Sequence, residues 1–181
     1  MTSICIFCGS REGLKPEYKQ AAMALVEELV RRNITLVYGA GNIGIMGVIA
    51  NHALALGGKV IGVIPDKLIE LEVVHEGLSE LHRVKDMHER KQKMAQLADG
   101  FITLPGGSGT LDELFQEIVM RQVGYHNKTC ALLNTERYYD HLISFLNHAT
   151  SEGFLHPEWR EFVIVEQSPS KLVTKLLDAS K

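Results

Sequence analysis

Short apolar runs alternate with longer amphipathic segments along this chain. The apolar runs are rich in Val, Ile and Leu without alternating polar residues, as is typical of strands buried on both faces of a parallel sheet. They occupy residues 3–8, 35–38, 59–64, 101–104, 129–133 and 162–165. Apolar positions spaced three and four apart predict helices between them, at residues 17–32, 45–56, 87–98, 111–122, 138–152 and 169–179.

This alternation predicts an α/β fold, a Rossmann-like, doubly wound and mostly parallel sheet with helices on both faces. No linker, repeat or low-complexity stretch divides the chain, so we expect one domain over residues 1–181. Residues 66–84 fit the pattern less well because they carry many carboxylates and end in a candidate strand at 81–84. We expect this stretch to be a loop over the edge of the sheet.

Composition narrows the class of protein. Hydrophobic residues make up 45% and charged residues 23% of the 181 residues, which is ordinary for a globular protein. The net charge of −3 gives no basic surface for nucleic acid or an anionic membrane. No apolar run reaches the roughly 20 residues that cross a bilayer, and the N-terminus lacks the features of a secretory signal. We expect a cytoplasmic protein that binds neither nucleic acid nor membrane.

Cys5 and Cys8 form a C-x-x-C, a spacing used by redox and zinc sites. Both lie in a predicted strand, where positions three apart point to opposite faces, so the two thiols should diverge. No second cysteine or histidine pair completes a zinc site. We therefore expect structural cysteines and no metal.

Glycine-rich loops follow the first two predicted strands, at the edge where open α/β sheets bind ligands. Gly9-Ser10-Arg11 is either a plain turn or a hydroxyl and guanidinium for a phosphate or base edge. Gly39, Gly41 and Gly44 spell G-x-G-x-x-G, which indicates either phosphate proximity or tight helix–sheet packing. NAD is disfavoured because the motif follows the second strand rather than the first.

The third glycine-rich loop reads Pro-Gly-Gly-Ser-Gly-Thr-Leu-Asp-Glu at residues 105–113. Its glycines, hydroxyls and following helix predict an anion site, and no Lys-Ser/Thr pair makes it a Walker A loop. Glu113 has two interpretations. It either completes a capping box with Thr110, or lies one turn inside a phosphate-binding helix and stabilises positive charge on a ribose ring.

A charged cluster, Asp-Met-His-Glu-Arg-Lys at residues 86–91, opens the predicted helix before the strand at 101–104. Such a cluster is either a solvated helix face or a source of cations for an anionic ligand. In the second case Arg90 and Lys91 would reach over the glycine loop, with the guanidinium forming a fork for phosphate or carboxylate.

Together these residues resemble the LOG family, the cytokinin riboside 5′-monophosphate phosphoribohydrolases. The family pattern Pro-Gly-Gly-x-Gly-Thr-x-x-Glu matches residues 105–113, and Met-His-x-Arg-Lys matches residues 87–91. Residues 8–10, 37–39 and 124–126 also look like family positions. The similarity runs in order from about residue 3 to about residue 165.

The resemblance implies hydrolysis of the N-glycosidic bond of an N6-substituted AMP, giving a free cytokinin-type base and ribose 5-phosphate. It also implies a Rossmann-like fold and a homodimer. We expect the reaction to need no metal or organic cofactor. The catalytic pair of the family falls on Arg90 and Glu113. The expected substrate-binding residues are Ser10, Gly39, Gly41, Gly44, Glu72, Arg90, Lys91, Gly107, Ser108, Gly109, Thr110, Leu111, Asp112 and Glu113.

Departures from the family pattern leave the preferred base open. Ala40 stands where the family often has glycine, and Val119 and Met120 replace a threonine and a tryptophan of plant-type members. A broader AMP nucleosidase, or a nucleotide-binding protein without catalysis, therefore stays as an alternative. Relatives have also been labelled lysine decarboxylases, but no pattern in the sequence indicates a pyridoxal site.

Overall fold

The computed structural model describes residues 1–69 and 74–179. Within them, one sheet contains β1 (Ser3–Phe7), β2 (Thr35–Tyr38), β3 (Val60–Pro65), β4 (Glu80–Val84), β5 (Gly100–Thr103), β6 (Cys130–Leu133) and β7 (Val163–Glu166). The helices are α1 (Pro16–Arg31), α2 (Gly44–Ala55), α3 (Asp66–Ile69), α4 (Met87–Leu97), α5 (Ser108–Gln122), α6 (Asp140–Ser151), α7 (Pro157–Glu161) and α8 (Pro169–Asp178).

The strand order β4-β3-β2-β1-β5-β6-β7, with parallel ladders between neighbours, confirms the predicted Rossmann-like α/β fold. The order reverses between β1 and β5, which pair through Phe7 and Thr103. From this point the chain continues to β2 on one side and to β6 on the other. Ligands of such sheets bind in the crevice outside the strand ends at this switch point. The topology therefore brings the loops after β1, β2 and β5 together.

Two hydrophobic cores cover the two faces of the sheet. One contains apolar residues of α1, α2 and α8, and the other contains residues of α4, α5 and α6. Along β1 the side chains alternate between the cores, so that Cys5 enters the second core and Cys8 the first. The predicted divergence of the two thiols is confirmed, and both are buried and free of disulfides. Burial raises the pKa of both thiols.

Within residues 66–84, the candidate strand at 81–84 is confirmed, but the prediction of a loop is wrong at the start of the stretch. Residues 66–69 form α3, and residues 80–84 form β4, which pairs parallel with β3. As an edge strand β4 is largely exposed and carries polar residues, so it lacks the continuous apolar run that marks a central strand. The Arg83 side chain pairs with Asp66 at 2.9 Å and joins the two elements.

A five-residue helix, α7, was also not predicted, because it is too short to show a helical period. Across the described part of the chain, no helix combines the length and the apolar character needed to cross a membrane.

Candidate active site

The N-terminus of α5 is open toward the switch point. Gly107 is its N-cap in extended backbone, and the amide of Leu111 donates the helix's first bond, 3.1 Å long, to the Gly107 carbonyl. The amides of Ser108, Gly109 and Thr110 therefore precede the first intrahelical bond, as helix geometry requires. The predicted start at residue 111 was too late, because glycine, serine and threonine have low helix propensity and hide the first turn.

The capping-box interpretation of Glu113 is wrong. A capping box needs a hydroxyl at the N-cap, but Gly107 holds that position without a side-chain cap. Thr110 is buried inside the first turn, where its side chain packs against Gly106. Glu113 consequently lies in the second turn, beyond the position from which it could complete a capping box.

A cavity of about 260 Å³ lies between α5, α4 and the ends of β1 and β2. Nine of the predicted site residues line it, namely Ser10, Gly39, Arg90, Gly107, Ser108, Gly109, Thr110, Asp112 and Glu113. Arg90 and Glu113 come from different helices and meet at this one cavity. The predicted residue Glu72 lies outside the described residues.

Arg90 is buried in the cavity wall, with only 6% of its surface exposed. Its Nη2 donates to the Gly39 carbonyl at 3.0 Å, and its Nη1 lies 3.7 Å from the sulfur of Met87. The buried Nε has no hydrogen-bond partner among the described residues. A buried donor of this kind is costly unless something accepts its hydrogen bond, so the wall of the cavity is suited to an electron-rich ligand.

Lys91, the neighbour of Arg90, does not line the cavity. Its Nζ lies 2.9 and 3.1 Å from the two carboxylate oxygens of Asp112, and the pair ties α4 to α5. Leu111 packs against the second core instead of facing the cavity. The structure thus gives these two predicted substrate-binding residues contacts within the protein.

Gly41 and Gly44 also lie outside the cavity lining. Gly41 bridges Val74 in an isolated antiparallel pair. Gly44 begins α2 with φ of +59°, and a Cβ there would overlap the backbone of Ser10. The glycine motif was interpreted either as phosphate proximity or as tight helix–sheet packing. At Gly41 and Gly44 the structure agrees with tight packing.

Five cavity residues were not among the predicted site residues: Ile6, Cys8, Gly9, Met46 and Met87. Met87 lies in the Met-His-x-Arg-Lys motif and Cys8 directly precedes Gly9, so adjacency to the motifs was the available signal. Burial, reinforced by Glu113 and opposed by Arg90, raises the pKa of Cys8 well above its usual value. Cys8 is therefore a neutral thiol at physiological pH.

Residues 46–176 match the family described as "Possible lysine decarboxylase". The chain is 49% identical over 175 residues to the cytokinin riboside 5′-monophosphate phosphoribohydrolase LOG1 of Arabidopsis thaliana, covering 97% of this chain and 82% of that one. It is 48% identical to the LOG protein of Oryza sativa subsp. japonica, covering 96% and 72%. The chain belongs to the LOG family.

Solved structures show the same fold at lower identity. The molybdenum cofactor carrier protein of Chlamydomonas reinhardtii matches with a TM-score of 0.74 at 18% identity, covering 98% of both chains. The molybdenum cofactor binding protein of Rippkaea orientalis matches with a TM-score of 0.73 at 21% identity, covering 98% of this chain and 96% of that one. These similarities establish the architecture of this LOG-family chain and nothing of its ligand.

The decarboxylase description of the matched family finds no counterpart in the cavity. Pyridoxal enzymes hold their cofactor through a lysine Schiff base. None of the described residues that line the cavity is a lysine. In the described parts of the chain, no cluster of three or more His, Cys, Asp or Glu side chains is arranged to hold a metal ion either.

Proposed function

We propose that this LOG-family protein hydrolyses the N-glycosidic bond of N6-substituted adenosine 5′-monophosphates, releasing a free cytokinin-type base and ribose 5-phosphate. Relatives 45–49% identical carry the name of this activity. The observation that carries the proposal is the cavity in which Arg90 and Glu113 meet the open N-terminus of α5.

The 5′-phosphate binds at the N-terminus of α5. The amides of Ser108, Gly109 and Thr110 supply donors, and the helix dipole favours negative charge at this end. The side chain of Ser108, which also lines the cavity, adds a hydroxyl donor. Backbone donors and a helix dipole hold a phosphate without a metal ion, so the proposed reaction needs neither metal nor organic cofactor.

The ribose then lies beside Glu113, one helical turn deeper. Breaking the bond between C1′ and the base leaves an oxocarbenium-like ribose. The Glu113 carboxylate stabilises this cation and accepts a proton from the water that attacks C1′. The electron pair of the broken bond leaves with the base, which takes up a proton from solvent, while Glu113 returns the proton of the attacking water to solvent.

Arg90 acts as a fixed cation rather than as a proton donor, because a guanidinium hardly deprotonates. From the cavity wall it fixes the ribose phosphate or stabilises the electron-rich leaving base. Its burial makes this interaction stronger than it would be in water.

The test is Glu113→Gln, which keeps the size of the side chain and removes its charge. We expect base release from isopentenyladenosine monophosphate, followed by chromatography, to fall by about 10² to 10⁴, the usual contribution of a general acid–base group. Binding of the nucleotide, followed by the rise in melting temperature, should persist. The control is Glu158→Gln, which removes an exposed carboxylate on α7. A fully active Glu113→Gln enzyme would refute the proposed role.

The base that the protein prefers distinguishes two versions of the proposed activity. A broader AMP nucleosidase would use the same Arg90 and Glu113 and release adenine from AMP as fast as it releases the substituted base. Comparing kcat/KM for AMP and isopentenyladenosine monophosphate distinguishes the two. A protein that only binds nucleotides would release no ribose 5-phosphate from either.

We also propose that the protein is a cytoplasmic homodimer. Val119 on α5 and Val123, which caps the C-terminus of this helix one turn later, are both exposed, as is nearby Tyr125, with 61% of Val123 and 76% of Tyr125 accessible. Exposed apolar surface of this kind supports an interface, and free thiols fit a reducing compartment. Light scattering after gel filtration should give twice the chain mass, and a monomer at micromolar concentration would contradict the dimer.

A further inference from the structure

Gly39, the first residue after β2, contacts the guanidinium of Arg90 in two ways. Its carbonyl accepts a hydrogen bond from Nη2 at 3.0 Å. In addition, a Cβ built on Gly39 would overlap the same Nη2 atom. The guanidinium therefore occupies the space that any side chain at position 39 would need.

Few other contacts hold this end of Arg90. Nη1 lies 3.7 Å from the Met87 sulfur, a weak acceptor, and Nε has no hydrogen-bond partner among the described residues. An arginine side chain loses much rotamer freedom when it is fixed, so its direction depends on the contacts that remain. The strongest of these is the Gly39 carbonyl.

We propose that Gly39 is a positioning residue for Arg90, an inference that rests on the catalytic role given to Arg90 above. The missing side chain leaves room for the guanidinium, and the carbonyl fixes its direction toward the cavity. A methyl group at position 39 displaces the guanidinium from the cavity wall. Misplacing a catalytic group by about 1 Å costs on the order of 10²-fold in rate.

The glycine motif also allows a different role, in which Gly39 lets the backbone approach the phosphate directly. The two roles predict different coupling to Arg90. If Gly39 acts through Arg90, adding a methyl group at position 39 has no further effect once Arg90 is absent. If Gly39 contacts the phosphate, the methyl group lowers activity to the same extent with and without Arg90.

The experiment is a double-mutant cycle of Gly39→Ala and Arg90→Ala, with kcat and KM measured on isopentenyladenosine monophosphate. We expect Gly39→Ala to lower kcat by about 10- to 100-fold in the wild-type background. In the Arg90→Ala background we expect a change within about twofold. An equal loss in both backgrounds, or an unchanged kcat for Gly39→Ala alone, would overturn the proposal.

Gly100→Ala is the matched control. Gly100 is buried at the opposite end of the sheet. A Cβ there would lie 2.9 Å from the flexible end of the Met1 side chain and 3.5 Å from the Thr129 carbonyl, an ordinary van der Waals distance. This variant reports what a methyl group on a buried sheet glycine costs, and it should retain kcat. If Gly39→Ala does not fold, the double variant decides, because removal of Arg90 restores folding only when Arg90 is the group that collides.

Failure of the proposed function gives a different result. In that case the wild-type protein releases no base from any 5′-monophosphate. The contact is then tested by NMR, through the Nε–H resonance that is absent from Arg90→Ala. We expect this resonance to shift in Gly39→Ala and to stay in place in Gly100→Ala. An unmoved resonance in Gly39→Ala would refute the positioning role on its own.

Discussion

Replacing Gly44 with alanine would disturb the contact between the loops that follow β1 and β2. Gly44 begins α2 with φ of +59°, in the left-handed region that side chains rarely adopt. Its Cα faces the backbone of Ser10 and Arg11, and an added Cβ would overlap the carbonyl of Ser10 and the amide of Arg11. Backbone atoms cannot move aside as the end of a side chain can, so the loop beside the cavity must shift.

Two effects set the magnitude. A left-handed conformation costs a non-glycine residue about 1–2 kcal/mol, less about 0.4–1 kcal/mol returned by the stiffer unfolded chain. Forcing a methyl group into a packed contact costs about 1–3 kcal/mol more. We therefore expect Gly44→Ala to lower the free energy of unfolding by about 3 kcal/mol. For a chain of this size the melting temperature should fall by about 6–12 °C.

Gly57→Ala separates the two effects. Gly57 has φ of +76°, but a Cβ there meets nothing within 4 Å. It should therefore lose only the conformational part, about 1 kcal/mol. Urea denaturation of both variants measures the difference. If Gly44→Ala is as stable as Gly57→Ala, the close approach of the two loops is not as described and Gly44 has no packing role.

The apolar periodicity was sufficient to predict most strands and helices of the fold. Central strands such as β2 are buried on both faces, so a continuous apolar run marks them and their bounds are predicted well. The edge strand β4 faces solvent along much of its length and gave only a weak signal. The first turn of α5 was missed for a different reason, since Ser108, Gly109 and Thr110 have low helix propensity.

The candidate site, too, could be predicted from the sequence only in part. Motif resemblance led to the prediction of Arg90 and Glu113 as a pair, although the two residues lie 23 positions apart on different helices. Sequence spacing cannot bring them to one cavity; the reversal of strand order between β1 and β5 does so. Spacing also could not tell which glycines face the ligand. Gly44 packs against a neighbouring loop, and Gly39 accepts a hydrogen bond from a side chain 51 residues away.

Two further predictions concern the helices that carry the site. The Asp86 carboxylate caps α4 by accepting two amide hydrogen bonds of 3.0 Å, so Asp86→Ala should cost about 1 kcal/mol in urea denaturation, and Asp86→Asn much less. On α5, Glu117 is 2% exposed and burial raises its pKa above 4.5, although hydrogen bonds from His126 and Gln116 oppose the shift. A carboxyl whose folded pKa is raised stabilises the protein most below its unfolded pKa, and this contribution is lost as pH rises through the folded pKa. Glu117→Gln stays neutral and can still accept the His126 hydrogen bond. The melting temperature of Glu117→Gln minus that of the wild type should therefore be larger at pH 8 than at pH 4. If this difference stays constant or decreases, burial of the charged Glu117 carries no net cost.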